Sequence, residues 1–337
     1  MIAEFLLRAP VALLPVLAFL AGLMLLDSFR LVRLSAVSAA MLAGGAVAGA
    51  SYWLNGVLLD ATDLRFVAYS RYVSPFVEEA LKALVIVYLV RTRRVGMLVD
   101  GAIFGFAIGT GFAVVENLFY LANRPEAPMA LHMVRGFGTA IMHGGATCIF
   151  AIVSVALADE RPDDLGTVFL PGLAAAVALH SGFNHLLVKP GLATLAILVA
   201  LPPLVYVVFQ RSERSLRQWL DADLDSDMEL LTLLTSGDVE QTHVGRYLHS
   251  LREQYHGAVV ADMLCYLRLH SELAMRAKGV LLMRESGMEV EIDEETRANL
   301  AELQYLERSI GRAGQLALRP VLSMTSKDLW QIYLLGR

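Results

Sequence analysis

The chain of 337 residues is 56 % apolar and has a formal charge of −5, from 28 basic and 33 acidic side chains. So slight an imbalance, with no basic tract, excludes an electrostatic nucleic-acid surface. The two cysteines, Cys148 inside an apolar run and Cys265 in the polar C-terminal third, make neither a disulfide framework nor a CxxC metal site.

The apolar residues come in uninterrupted blocks as far as Arg211, after which the composition turns to that of a soluble protein. A hydrocarbon core about 30 Å thick needs roughly 20 apolar residues per helix, at about 1.5 Å of rise each. In chain order, spans are predicted at 10–27, 36–59, 66–90, 98–121, 130–157, 167–188 and 191–210, seven helices joined by short loops. The opening stretch has Arg8 ahead of its apolar run and no small-residue cleavage site, so it reads as a retained first helix. The third span is interrupted by Arg71, Ser74, Pro75, Glu78, Glu79 and Lys82, and Pro75 is where a break is expected.

Basic residues collect in alternate loops: Arg30 and Arg33, then Arg91, Arg93 and Arg94, then Arg161, then Arg211, Arg214 and Arg217. The other loops carry only Arg65, Arg124 and Lys189. The positive-inside rule therefore puts the N-terminus outside and the C-terminal part in the cytoplasm. Beyond Arg211, Leu224, Met228, Leu231 and Leu234, and later Leu300, Leu303, Leu306 and Ile310, recur at helical spacing. The expected fold is all-α: a polytopic transmembrane helical bundle over 1–210, then a helical cytoplasmic domain over 211–337. Nothing in that domain has catalytic spacing, so regulation or contact with a cytoplasmic partner is its expected role.

A charge near the centre of a span costs at least ~2.5–3.5 kcal/mol, so those present demand a reason. In S-P-F-V-E-E-A-L-K, Arg71, Ser74, Pro75, Glu78 and Lys82 fall within about 100° of arc. Glu79 stands at the edge of that face, and Lys82 lies one turn from both glutamates. An ion pair that merely locks two helices needs one carboxylate, and the second argues for chemistry. In the next span Gly101, Gly105, Gly109, Phe112 and Glu116 line one face; the glycines read as a packing seam, which aims Glu116 at the helix that docks there.

The fifth span places His132, Arg135, Thr139 and His143 on one face, with His143 deep and flanked by Gly144 and Gly145. His132 and Arg135 sit nearer the outer boundary and read as interfacial. In A-L-H-S-G-F-N-H, His180 and Asn184 stand four apart on one face, and His185 points about 140° away. Histidines that simply hydrogen-bond in a helix core are the commonplace alternative. By the orientation above, however, Glu78, Glu116, His143 and His180 all fall between the midplane and the outer half of the bilayer, an agreement that scattered interfacial groups would not show.

E-E-x-x-K (Glu78, Glu79, Lys82), F-x-x-x-E (Phe112, Glu116, then Asn117), His143 in the following span and H-x-x-x-N (His180, Asn184), in that order, resemble the PrsW family of intramembrane proteases. The last spacing is also similar to that of the wider superfamily containing the CAAX prenyl endopeptidases. The resemblance covers the membrane region after the second helix and stops before the C-terminal domain. It implies cleavage of a membrane protein, typically an anti-sigma factor, near the outer side of a bacterial plasma membrane.

Peptide hydrolysis needs an activated water, an acid for the leaving amine and a donor for the oxyanion. Glu78 or Glu79 is the expected base, with Lys82 beside it. Glu116, His143 and His180 could then hold zinc, which accepts three nitrogen or carboxylate ligands plus a water. A metal-free arrangement, in which the histidines and Asn184 stabilise the oxyanion, serves equally. A proton-coupled carrier would relay ions through the same groups, but no inverted repeat supports it; a membrane scaffold leaves the clustered charges without a role.

Overall fold

The computed structural model describes residues 2–322, apart from 125, 162, 163, 165, 186–188, 236–238 and 289, together with Trp330, Ile332 and Leu335. The side chains of 2–4, 6, 221–227 and 240 fall outside that description, and Leu224 with them. Regular structure among the described residues is helical throughout. The chain divides into two compact units, Met1–Glu213 and Arg214–Arg337.

The first unit is a bundle of helical rods: α1 (Ile2–Leu25), α2 (Leu34–Asp60), a third rod of α3 (Phe66–Ala68) and α4 (Ser74–Arg91), and α5 (Leu98–Asn123). A fifth rod of α6 (Met129–Met133) and α7 (Ala140–Glu160) follows, then α8 (Leu170–Asn184) and α9 (Pro190–Thr235), inside which the division between units falls. Among the described residues five helices are long and apolar enough to cross a membrane: Leu7–Leu25, Leu34–Asp60, Leu98–Asn123, Met129–Glu160 and Pro190–Leu220. The third rod carries too many charges to join them. The sixth, α8, has 15 residues and spans about 22 Å.

Helix α5 is the axis of the bundle. It packs on α7, α2 and α1, and every residue from Val99 to Ala113 is buried, as befits a helix apolar on all sides. Asp100 is buried at its start, but its carboxylate accepts the Gly96 and Met97 N–H groups at 3.1 and 2.8 Å, which makes it a cap for the helix N-terminus.

The expected break at Pro75 does not occur. The third rod passes through a π turn, Tyr69–Val73, and continues as α4 with Pro75 in its first turn, where a missing N–H is tolerated. A second π turn, Val134–Thr139, joins α6 to α7. Each wide turn shifts the angular phase of the side chains around it, so arcs counted at 100° per residue drift across these two segments.

In the second unit, α10 (His243–Leu251), α11 (Gly257–Glu285) and α12 (Glu294–Leu318) share an apolar core. Leu303, Leu306 and Ile310 of α12 lie in it with Met263, Leu267 and Leu273 of α11, and Leu300 packs against its edge. Thr242 and Asp293 cap α10 and α12 by accepting the Gly245 and Thr296 N–H groups.

Candidate active site

The site begins with the π turn. In i→i−5 bonding the Ser70 carbonyl would receive the N–H of residue 75, which proline lacks. Asn184 Nδ2 donates to that carbonyl instead, at 3.0 Å, and Ser181 Oγ donates to the Arg71 carbonyl at 2.6 Å. Helix α8 is thereby fastened to the third rod, and His180, one turn before Asn184, is held against α4.

From there a bonded chain crosses four helices. Lys82 Nζ donates to Glu79 Oε1 at 2.6 Å, lies 3.2 Å from His143 Nδ1 and sits 4.6 Å from the centre of the Phe112 ring. His143 Nε2 lies 3.1 Å from Glu116 Oε2, and His180 Nδ1 lies 2.8 Å from Glu79 Oε1. A carboxylate can only accept and an ammonium can only donate. The partners therefore assign both tautomers: His143 carries its proton on Nε2, and His180 carries its proton on Nδ1. That leaves the lone pair of His180 Nε2 free, 3.9 Å from Glu78 Oε2.

Glu78 has its own support. Its Oε1 accepts from Ser74 Oγ at 2.6 Å and from Asn55 Nδ2 at 3.5 Å. Asn55 also donates to Ser51 Oγ and accepts from the Tyr69 hydroxyl at 2.9 Å. Glu79, Lys82, His143 and His180 are sealed from the surface, whereas the side chains of Glu78 and Glu116 are 15 % and 36 % accessible. The cluster thus has a closed back and a face where two carboxylates open. Three carboxylates stand against Lys82 and Arg135, leaving one negative charge to be met by a proton or by a metal ion.

Of the residues singled out in the sequence, Glu78, Glu79, Lys82, Glu116, His143 and His180 come together. Their arrangement differs from the expected one in three respects. Among the described residues, the group able to share a metal ion is Glu78, His143 and His180, whose ligand atoms lie within 4.8 Å of one another; Glu116 stands behind His143 instead, because α5 delivers it to the far ring nitrogen. Asn184 commits its amide N–H to the Ser70 carbonyl, the group that Pro75 leaves without a partner. Arg135, read as interfacial, reaches inward to 3.2 Å from Glu116 Oε2. His185 bonds the Ser181 carbonyl and meets the Tyr72 ring, away from the cluster. Sequence reasoning passed over Ser51, Asn55 and Tyr69, although Ser51 and Asn55 repeat the i, i+4 polar spacing that drew notice to His180 and Asn184.

Two imidazoles and a carboxylate are a donor set that zinc accepts. Glu79 behind His180 and Glu116 behind His143 are the carboxylate–histidine pairs that orient such ligands. His180 Nε2 and Glu78 Oε2 already face the shared space, and His143 Nδ1 offers a lone pair that a metal would take over from Lys82. The residues fit a divalent cation.

No curated protein and no solved structure matches the chain. The family model of the PrsW family intramembrane metalloprotease matches it over residues 24–209. That stretch is more than half of the chain and holds every residue of the bonded cluster, and the chain belongs to the PrsW family of intramembrane metalloproteases.

Proposed function

We propose that this membrane-embedded peptidase cleaves a membrane protein, foremost an anti-sigma factor of a bacterial plasma membrane, and that Glu78, Glu79, Lys82, His143 and His180 carry the hydrolysis. The observation behind this reading is the pair Glu78 Oε2 and His180 Nε2, facing each other across 3.9 Å at the accessible side of the cluster. A water held between them loses a proton to Glu78 as its oxygen attacks the scissile carbonyl carbon. The same proton passes to the amine nitrogen as the C–N bond breaks. Glu79 holds His180 by its Nδ1–H, and the Lys82 ammonium supplies positive charge close to the developing oxyanion. Asn184 serves by keeping the π turn in place. A zinc ion held by Glu78, His143 and His180 would take up the groups that otherwise hold this water, and would instead supply an acidic bound water and polarise the carbonyl.

The test is cleavage of single-span membrane substrates by the purified protein, with and without chelator, beside Glu78→Gln and Glu79→Gln. Normal rates in both variants would remove the mechanism. The H-x-x-x-N spacing also supports kinship with the CAAX prenyl endopeptidase superfamily. The alternating arginine loops support seven spans, an external N-terminus and a cytoplasmic domain over 211–337 that binds a cytoplasmic partner. Reporter fusions after Arg94 and after Arg217 should both report the cytoplasm, and an external signal from the second would refute that topology.

A further inference from the structure

Arg135 is a charged side chain, paired with Glu116, that the proposed chemistry leaves without a task. It sits in the π turn Val134–Thr139 and is held on three sides. Its Nε donates to Asn117 Oδ1 at 3.0 Å, its guanidinium lies 4.0 Å from the centre of the Tyr120 ring, and its Nη2 forms an ion pair with Glu116 Oε2 at 3.2 Å. Asn117 is itself fixed, because its Nδ2 donates to the Ala12 carbonyl of α1 at 2.9 Å. Helix α1 meets the π turn at the same level: a Cβ on Gly136 would come within 2.1 Å of the Val11 carbonyl oxygen. The guanidinium therefore cannot turn freely, and its Nη2 end is set beside Glu116 by the backbone of α1 acting through Asn117.

The oxygen it reaches is the one bonded to His143 Nε2. Glu116 is a flexible side chain, more than a third accessible, and without a cation beside it the carboxylate would swing toward solvent and release the imidazole. We infer that Arg135 is a positioning residue. By pinning Glu116 it keeps the His143 ring with Nδ1 turned toward Lys82 and the reactive space, and α1, which meets this frame through its backbone, becomes part of the frame of the site. The inference rests on the peptidase reading of the cluster for its kinetic consequence and on geometry for its structural one.

Both consequences can be read separately on the full-length protein in detergent, labelled with ¹⁵N-histidine, the spectra taken after treatment with chelator and the His143 signals identified from His143→Gln. In the parent protein His143 should show the Nε2–H tautomer. Arg135→Gln should convert it to a mixture and lower kcat about 10- to 100-fold on a single-span test substrate with KM unchanged. Arg135→Lys, which retains a cation for Glu116, should recover the tautomer and part of the rate. In a Glu116→Gln background Arg135→Gln should cost nothing further, because it acts only through that carboxylate. If Arg135→Gln fails to fold, Asn117→Ser, which removes the anchor of Nε together with its tie to the Ala12 carbonyl, carries the same comparison.

An unchanged His143 spectrum in Arg135→Gln, or an equal loss of rate with and without Glu116, would overturn the inference. If the parent protein cleaves no substrate, the peptidase reading of the cluster fails, and the spectra still decide whether Arg135 positions His143.

Discussion

Gly109 offers the sharpest link between packing and chemistry. It faces α7 where the two backbones nearly touch: a Cβ there would lie 2.3 Å from the His143 carbonyl oxygen and 2.7 Å from Gly144 Cα. Both are backbone atoms, so relief requires the helices to part by about 1 Å, an overpacking that costs typically 1–3 kcal/mol. The atoms displaced belong to the residue whose Nε2 bonds Glu116 and whose Nδ1 faces Lys82. Misplacing a reacting group by that distance costs on the order of 10²-fold in rate. Gly109→Ala should therefore lower the unfolding temperature in detergent and reduce cleavage of a single-span substrate about a hundredfold. Gly101 on the same helix face is the control, because its added Cβ would meet the Val155 Cγ2 methyl at 3.1 Å, a side chain that can turn. Gly101→Ala should keep most of the activity. Wild-type rate and melting in Gly109→Ala would refute the claim that this seam sets the position of His143.

Glu78→Gln should lower the cleavage rate about 10²-fold or more without lowering the melting temperature, whereas Glu79→Gln leaves the buried Lys82 ammonium without its counter-charge and should lose roughly 3–5 kcal/mol of stability as well. Metal analysis of purified protein should find a bound divalent ion that Glu78→Gln and His180→Ala abolish; Glu116→Gln, altering only the group behind His143, should weaken it roughly 10- to 100-fold, and the reverse order would restore Glu116 to the ligand set. Asn184→Ala should cost about 1–3 kcal/mol in thermal unfolding, since the Ser70 carbonyl loses its donor, and His185→Ala far less. In the second unit, burial and then the Lys278 ammonium lower His270 from 6.5 to about 4, so the unfolded chain binds a proton that the folded one refuses. This stability is fully present above about pH 6.5, falls as pH drops toward 4, by about 3 kcal/mol in all, and should lose that pH dependence in His270→Leu.

The helices were legible because membrane spans announce themselves by length: α5 begins at Leu98, where the sequence places it, and ends two residues beyond the expected 121. The glycine seam was legible too, since a face of Gly101, Gly105 and Gly109 has no other purpose than close approach. Which polar atom meets which was not. Lys82 lies one turn from both Glu78 and Glu79, and only the docking of α8 decides that it pairs with Glu79. Ser51 and Asn55 look like scattered polar residues until α2 is laid against α4. The π turns hid the most, for an extra residue in a turn leaves no mark on hydropathy and yet changes where Arg135 and the residues after Tyr69 point.

The economy of the cluster argues for chemistry over architecture. A buried ion pair is seldom more stable than apolar residues of the same shape, and removing one partner is costly. A bundle that needed only to hold α4, α7 and α8 together would do so with the leucines, valines and glycines that fill the rest of it. Instead His180, Glu79, Lys82 and His143 are sealed away, each bonded to the next, while Glu116, bonded to His143, and Glu78, set apart beside His180, remain accessible. The sealed members fix the tautomers and directions of the imidazoles, and Glu78 Oε2 with His180 Nε2 leaves a gap too long for a hydrogen bond and short enough for one shared water. Helices fastened merely for stability would have closed that gap. A site that must admit water and a strand of substrate has to leave it open.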